Sequence, residues 1–233
     1  MKTTNHLFNS EKLIMSVTVK QIVDAQAHIG TLKNEAHPKT RDFRIDVVNN
    51  IVILNPEMIA QRLENAKKQV NAAKNAWKDI LVVCEKKMYA DEVKALSEKF
   101  GVSFLGHKAP GWFLTNFDTF KTRISSMNKM AAFTETEAFA SLTKKEQAIR
   151  KRDLAKASKV YEGVKNLSAR PALVIVVDGS MMENFIREVN ARPEIDSIII
   201  SSTNYNKYLW ESDIIANMLS YKSIDFIMNY ILS

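Results

Sequence analysis

Few residues in this sequence have the type and spacing that catalysis requires. Asp178-Gly179-Ser180 follows the strongest predicted strand, Ala172–Val177, and this segment could hold a cation or a phosphate, although a plain strand-to-helix turn with an N-cap is favoured. Cys84 could be a nucleophile, but a cysteine that ends an apolar run is more often buried packing. Asp91-Glu92 lies at the start of a predicted helix, where carboxylates favour the helix dipole. We therefore predict no catalytic residue.

Phosphate cradles and metal clusters are not recognisable either. None of the six glycines forms a GxGxxG or GxxxxGK[ST] pattern, and the single cysteine rules out an internal disulfide framework. His28 and His37 could share a metal only with partners that the sequence does not place at ligand spacing. We predict no metal and no cofactor. A Rossmann-like enzyme that uses Asp178 with a nucleotide or metal stays open as the alternative.

The charge is unevenly distributed along the chain. Residues 107–170 hold 13 Lys/Arg against 6 Asp/Glu, whereas residues 171–233 hold 4 against 8. This asymmetry is typical of a protein that docks one face on a polyanion, although a solvated lysine-rich surface would give the same composition. No apolar run reaches the roughly 20 residues that a membrane helix needs. Residues 1–15 resemble neither a secretory signal nor a transit peptide, which favours bacterial cytoplasm; a mitochondrial or plastid matrix stays open.

The coarse pattern is that of an α/β protein. The predicted strands are Ile51–Leu54, Ile80–Cys84, Val102–Leu105, Ala172–Val177, Ser197–Ser201 and a short edge strand at Ile214-Ile215. The predicted helices between and after them begin at Asn55-Pro56, at Ala90, near Met181 and at Ile224. Strands that alternate with helices indicate a Rossmann-like parallel sheet of about five strands flanked by helices.

A different pattern interrupts this alternation. Apolar residues step 4, 3, 4, 3, 4 through Phe113, Phe117, Phe120, Ile124, Met127 and Ala131. A second helix is predicted from near Thr143 to about Leu167, and its later apolar positions have heptad-like spacing. We predict an inserted antiparallel coiled-coil helical hairpin with basic outer faces. The predicted division is residues 1–15 as an N-terminal extension, 16–106 and 167–233 as the α/β domain, and 107–166 as the hairpin.

Several short sequences, in order along the chain, resemble one family. They are Ala27–Gly30, Pro38-Lys39, Ile51–Asn55, His107–Phe117, Leu142–Glu146, Pro171–Asp178 and Ser202–Asn204. These segments are similar to the HFG, NPKM, IINLEKT, HRWLGGMLTNW, LTKKE, PDALFVID and DTN elements of the small-subunit ribosomal protein two family. Ala109, Pro110 and Trp112 depart from the family pattern, which has Trp, Leu and Gly there.

The resemblance implies a structural constituent of the small ribosomal subunit and not an enzyme. It implies contacts with ribosomal RNA and neighbouring ribosomal proteins near the head-body junction, in support of translation. Ribosomal protein one is a candidate partner, and neither DNA nor a membrane is expected. A free adaptor whose hairpin binds only proteins is a further alternative.

Affinity for folded RNA needs cations that contact phosphates. Recognition of the shape of the RNA is sufficient for such binding, and its base sequence need not be read. The predicted RNA-binding residues are Lys39, Arg41, Arg44, Lys87, Lys108, Asn116, Lys121, Arg123, Lys144, Lys145, Arg150 and Arg152. Asn116 could bond the RNA backbone or cap a helix. Phe43 and Trp112 could stack on a base, although packing against the sheet is favoured for both.

Overall fold

A computed structural model describes residues 17–206 and 213–233, so the predicted extension at residues 1–15 lies outside the described residues. The helices are α1 Val19–Asp24, α2 Pro56–Asn75, α3 Ala90–Phe100, α4 Phe117–Phe133, α5 Glu137–Ala140, α6 Lys144–Tyr161, α7 Glu183–Asn190 and α8 Tyr221–Leu232. The strands are β1 Ile29–Leu32, β2 Arg44–Val48, β3 Ile51–Leu54, β4 Ile80–Cys84, β5 Ser103–Leu105, β6 Leu173–Val177, β7 Asp196–Ser201 and β8 Ile214–Ile215.

The larger sheet has five parallel strands in the order β5-β4-β6-β7-β8. Every residue of β4 and of β6 is buried, as expected for central strands with helices on both faces. The chain moves outward from β4 to β5 and then returns to β6 on the other side of β4. The predicted α/β class and five-stranded parallel sheet are confirmed.

Alternate residues of the central strands feed two separate cores. Val82 and Ile175 pack with helices α2, α3 and α8 on one face, together with Leu63 of α2. Leu81 and Val174 point to the other face, which α4 and α7 cover. The beginning of α4 therefore belongs to the core of the sheet, even though α4 lies in the predicted insert. The predicted division of the chain, and the coiled-coil character of the insert, stay predictions.

The strand β3 does not join the parallel sheet, so its predicted place there is wrong. It is the centre of a three-stranded antiparallel sheet in the order β1-β3-β2. The cause is the Asn49-Asn50 turn, whose residues have φ of 49° and 64°. Two successive left-handed residues form the tight turn that joins hairpin strands, and asparagine tolerates that conformation. This turn therefore pairs β3 with β2 in the antiparallel sheet.

Two helix ends also differ from the prediction. The apolar spacing of α2, which steps 4, 3, 4, 3, 4 from Ile59, predicts that Trp77 belongs to its buried stripe, but α2 ends at Asn75 and Trp77 is 95% exposed with φ of 53°. The second hairpin helix ends at Tyr161, before Leu167, because a 3-10 turn at Glu162–Val164 follows it. Among the described residues, no helix is long and apolar enough to cross a membrane.

Candidate nucleic-acid interface

Helices α4 and α6 lie side by side and run in opposite directions. Phe120, near the start of α4, is 6.3 Å from Tyr161 at the end of α6, measured between ring centroids. Phe133, at the end of α4, lies under the guanidinium of Arg150, which is in the first half of α6, at 5.3 Å. The short helix α5 closes the far end, where Phe139 packs edge-on against Phe133.

The two helices are basic and differ in what they bury. Together they hold ten Lys/Arg and three Asp/Glu. Helix α4 buries Phe117, Phe120, Ile124 and Met127, as predicted from its stripe, whereas Ala131 is exposed. Helix α6 has no buried residue. An 18-residue helix with no fully buried residue gains less from core packing than α4 does, so its caps and whatever lies against it contribute more to its stability.

The predicted RNA-binding residues of the two helices are all exposed. They are Lys121, Arg123, Lys144, Lys145, Arg150 and Arg152. Within the described part of the chain, none of these six has a carboxylate within ion-pair distance. Their charged groups are therefore available to external anions such as phosphate groups.

Two of these arginines are held against aromatic rings. The guanidinium of Arg123 lies 5.2 Å from the centre of the Phe120 ring, and that of Arg150 lies 5.3 Å from the Phe133 ring. A guanidinium that stacks on a ring loses fewer rotamers when it binds a phosphate, because its plane is already oriented. Arg123 and Arg150 are thus better prepared for phosphate contact than a solvated lysine.

The remaining predicted cations are in loops on the sheet domain. Lys39, Arg41, Lys87 and Lys108 are exposed. Arg44 differs, because its Nη2 donates to the carbonyl oxygen of His37 at 2.5 Å and to Thr40 Oγ1 at 2.8 Å. Burial, and then the neighbouring Arg41 charge, lower the pKa of Arg44. Its geometry supports a role in tying the 3-10 turn Pro38–Phe43 to β2.

Asn116 is at the N-cap position of α4, but its side chain makes no cap bond to the backbone. Its Oδ1 accepts a hydrogen bond from Thr119 Oγ1 at 2.8 Å. Asn116 is exposed, so its amide nitrogen is accessible to an external acceptor. The residue therefore occupies the cap position without a cap bond, and its contact with RNA stays a prediction.

The loop that leads into α4 is held by two carboxylates that the sequence analysis did not single out. Glu85 accepts the backbone N–H of Ala109 at 2.9 Å. Glu188 is 8% exposed and accepts the backbone N–H groups of Trp112 and of Leu114, the latter at 3.1 Å. Glu188 could have been found, because it lies three residues after Phe185 and so shares the apolar face of α7.

The two aromatic residues predicted to pack have different environments. Phe43 is 4% exposed, so packing is correct for that residue, and Arg62 lies 5.8 Å from its ring. Trp112 is 71% exposed, so packing is wrong for that residue. The cause is its backbone, since φ of 64° places Trp112 in a tight turn that the two Glu188 bonds hold.

The edge where ligands of parallel sheets usually bind is occupied by protein side chains. Lys86 Nζ, after β4, lies 2.7 Å from Asp178 Oδ2, after β6, and both side chains are at least nine-tenths buried. Ser180 Oγ lies 2.5 Å from Asp178 Oδ1. Burial raises the pKa of the Cys84 thiol to about 11, so this cysteine stays protonated and weakly nucleophilic at neutral pH. This geometry gives the predicted enzymatic alternative no support.

Helix α6 begins with a capping box. The hydroxyl of Thr143 donates to Glu146 Oε2 at 2.7 Å, and the same carboxylate oxygen accepts the Thr143 backbone N–H at 3.0 Å. In return, the Glu146 backbone N–H donates to Thr143 Oγ1 at 3.4 Å. This box places Lys144 and Lys145 in the first turn of the helix.

We expect the variant T143A to weaken the start of α6 by about 1 kcal/mol, because an N-cap hydroxyl is lost and the helix has no buried face to compensate. Amide hydrogen exchange of Glu146 and Gln147 should accelerate about fivefold, the factor that corresponds to this free energy. S125A, an exposed position inside α4, is the control and should cause no such change. Equal exchange rates in T143A and the unchanged protein would contradict the capping role.

The stability that this cap gives to the first turn of α6 also depends on pH. The Thr143 hydroxyl, followed by the Thr143 backbone N–H, lowers the pKa of Glu146. A carboxylate with a lowered pKa in the folded state contributes stability above its unfolded pKa. This contribution is lost as pH falls through the lowered pKa, so the first turn of α6 should fray in acid.

Comparison with known proteins gives a consistent result. Residues 22–233 match the family model described as ribosomal protein S2. The small ribosomal subunit protein uS2 of Coprothermobacter proteolyticus is 31% identical over 215 residues, which are 92% of this chain and 80% of the relative. That of Endomicrobium trichonymphae is 30% identical over 87% of the chain and 82% of its own length. The uS2c protein of Rhodomonas salina is 30% identical over 92% and 88%.

Proposed function

The chain belongs to the ribosomal protein S2 family, and from this membership we propose that it binds the small ribosomal subunit by laying the basic surface of α4 and α6 against ribosomal RNA. Its role in the ribosome is structural, as it is for the family. Members of the family are not enzymes, in agreement with the expectation that the chain is not an enzyme.

The observation that carries the RNA proposal is helix α6. None of its residues is fully buried, it carries seven Lys/Arg against two Asp/Glu, and its predicted contact residues form no ion pair among the described residues. Such a helix gains little from its own domain. A polyanion that lies along it would neutralise its repelling charges and release counterions.

The mechanism expected of this surface is recognition of shape and charge. Cations that meet phosphates supply affinity that does not depend on sequence, and they fix the orientation of the protein on the RNA. About six phosphate contacts would make the logarithm of the association constant fall with the logarithm of salt concentration with a slope of about −4 to −5. Lys121, Arg123, Lys144, Lys145, Arg150 and Arg152 are the residues that we propose for these contacts.

The loop cations extend the proposed surface to the sheet domain. Four loop cations are proposed to contact RNA because their side chains are exposed; they are Lys39, Arg41, Lys87 and Lys108. Asn116 is proposed to bond the RNA backbone through its amide. Arg44 is the weakest member of the predicted set, because its guanidinium is engaged inside the protein.

The finer features of the family resemblance are part of the same proposal. We place the chain near the junction of the head and body of the subunit, next to other small-subunit proteins, with ribosomal protein one as a candidate neighbour. The bacterial cytoplasm is the proposed compartment. A mitochondrial or plastid ribosome is the alternative, since the family includes the uS2c relative of Rhodomonas salina.

The proposal is tested by reversing three charges of α6 at once. We expect the variant K144E/K145E/R150E to leave the small subunit at a lower salt concentration than the unchanged protein, because three phosphate contacts become repulsive. The measurement is co-sedimentation with purified small subunits through a salt series. Circular dichroism should show that the fold is unchanged, since none of the three side chains is buried.

A second triple variant controls for net charge. K20E/K68E/K78E changes three exposed lysines outside α4 and α6, and so has the same total charge. It should stay bound through the same salt series as the unchanged protein. If both variants dissociate together, only overall charge matters; if neither does, α6 is not the RNA-binding surface.

A further inference from the structure

Trp112 is exposed in a way that the fold does not require. Its residue surface is 71% exposed, and its backbone φ of 64° lies in the left-handed region, which glycine adopts more readily than residues with a Cβ. The fold therefore gains neither burial nor an easier turn from a tryptophan at this position. An external contact of the indole would explain the residue.

The backbone of the loop is fixed both before and after Trp112 in the chain. The adjacent Phe113 and Leu114 are completely buried, and Phe113 packs edge-on against Phe117 of α4 at 5.8 Å. Glu188 accepts the backbone N–H groups of Trp112 and Leu114, and Glu85 accepts that of Ala109. A fixed backbone lowers the entropy lost when an exposed aromatic ring makes a contact.

Lysine and arginine residues lie on both sides of Trp112 along the chain, while the carboxylates of its loop, Glu85 and Glu188, bond backbone N–H groups. Lys108 is exposed four residues earlier, and Arg192 Nη2 donates to the carbonyl oxygen of Thr115 at 3.2 Å. The loop also leads directly into α4, which carries Lys121 and Arg123. Aromatic rings beside cations are the usual platform for unpaired nucleotides, because bases stack on the ring while phosphates meet the cations.

We propose that Trp112 is a stacking platform for an unpaired base of ribosomal RNA at the point where α4 leaves the sheet domain. This inference rests on the proposed function and adds a non-electrostatic contact to it. Stacking does not depend on charge. The loss of affinity caused by removal of the Trp112 ring should therefore depend on salt concentration differently from the loss caused by removal of a lysine.

Trp77 provides a matched comparison within the same chain. It is also highly exposed and also has a positive φ, of 53°. It precedes β4, whereas Trp112 follows β5, and these two parallel strands place their entering and leaving ends at opposite edges of the sheet. Trp77 should therefore lie away from the RNA that contacts Trp112.

The first experiment uses the variant W112G and measures binding of the full chain to purified small-subunit ribosomal RNA. We expect the association constant to fall about 5- to 150-fold, with an unchanged slope against salt concentration. The melting temperature should be equal to or above that of the unchanged protein, because glycine relieves the left-handed backbone. W112F should recover most of the affinity, and W77G should bind as the unchanged protein does.

The second experiment follows the ring directly. With Trp77 and Trp210 replaced by phenylalanine, Trp112 is the only tryptophan, and its fluorescence should be quenched when the RNA is added. A protein that keeps only Trp77 should show little quenching. Quenching of Trp112 by a protein-only fraction of the small subunit, and not by RNA, would overturn the proposal in favour of a protein contact.

The two proposals fail in different ways. If W112G binds the RNA with unchanged affinity while K144E/K145E/R150E loses it, stacking is refuted and the basic surface stands. If neither the unchanged protein nor any variant binds the RNA, the proposed RNA-binding function itself is refuted. A loss of affinity in W112G that disappears at high salt would show that Trp112 acts only by positioning nearby charges.

Discussion

Replacement of Lys86 by methionine is expected to lower the free energy of unfolding by about 3 to 5 kcal/mol. Lys86 is the ion-pair partner of Asp178 at 2.7 Å, and both side chains are buried where β4 and β6 end. Removal of the ammonium leaves a buried carboxylate whose remaining side-chain hydrogen bond, within the described residues, is the one from the Ser180 hydroxyl. The cost is large because a charge without a counter-charge stays out of water.

Chemical denaturation of K86M and of the matched variant K87M measures this cost. Lys87 is the exposed neighbour, so K87M should change stability by no more than about 0.5 kcal/mol. The double variant K86M/D178N should be more stable than K86M alone, because a neutral amide needs no counter-charge and asparagine tolerates the φ of 67° at this position. Equal stability of K86M and K87M would show that the ion pair contributes nothing.

Replacement of Gly163 by alanine is expected to destabilise the protein by about 3 kcal/mol or more, at the upper end for overpacked sites. A Cβ at Gly163 would collide with the carbonyl oxygen of Phe104 and would lie 2.6 Å from Cδ1 of the same residue. Phe104 is in the edge strand β5, and Gly163 is in the turn after α6. The strand backbone cannot move aside without losing its pairing with β4.

G111A is the matched control for G163A. A Cβ at Gly111 would meet no atom within 4 Å, and Gly111 has no positive φ. Its replacement should be neutral or slightly stabilising, by up to about 1 kcal/mol. The measurement is the melting temperature of both variants. Similar melting temperatures would show that the chain after α6 can shift away from β5 without cost.

The parallel sheet could be predicted because its signals are local. A run such as Leu173–Val177, apolar on both faces, has few stable environments besides the centre of a covered sheet. The start of α2 was equally clear, since Asn55 caps the helix and Pro56 occupies its first position. In each case the residues that specify the element lie within that element.

Features that depend on partners distant in the chain were predicted less well. The short strand Ile51–Leu54 is apolar enough for either sheet, and only the left-handed Asn49-Asn50 turn assigns it to the antiparallel one. The exposure of Trp112 depends on Glu188, which lies far along the sequence and accepts the Trp112 N–H. Apolar spacing carries no information about such a long-range bond.

The residues of the candidate site also differ in how well the sequence predicts their environment. Net charge and helical spacing were sufficient to predict that Lys144, Lys145 and Arg150 lie exposed on a helix, because exposed cations need no partner within the protein. They were not sufficient to recognise that Arg44 is turned inward to the carbonyl oxygen of His37. Whether a cation is available to RNA depends on which carbonyl groups the folded loop brings to it.

The strand order determines where the chain can tolerate insertions and deletions. β5 and β6 lie on either side of β4, so the register that aligns Cys84 with Val177 closes a long loop that contains the whole of α4, α5 and α6. The entropy of closing a loop rises only with the logarithm of its length, at about 0.6 kcal/mol for each doubling. Added or deleted helical turns at the tip should therefore scarcely affect the sheet, and the length of the α4–α6 hairpin is free to vary while the sheet stays the same.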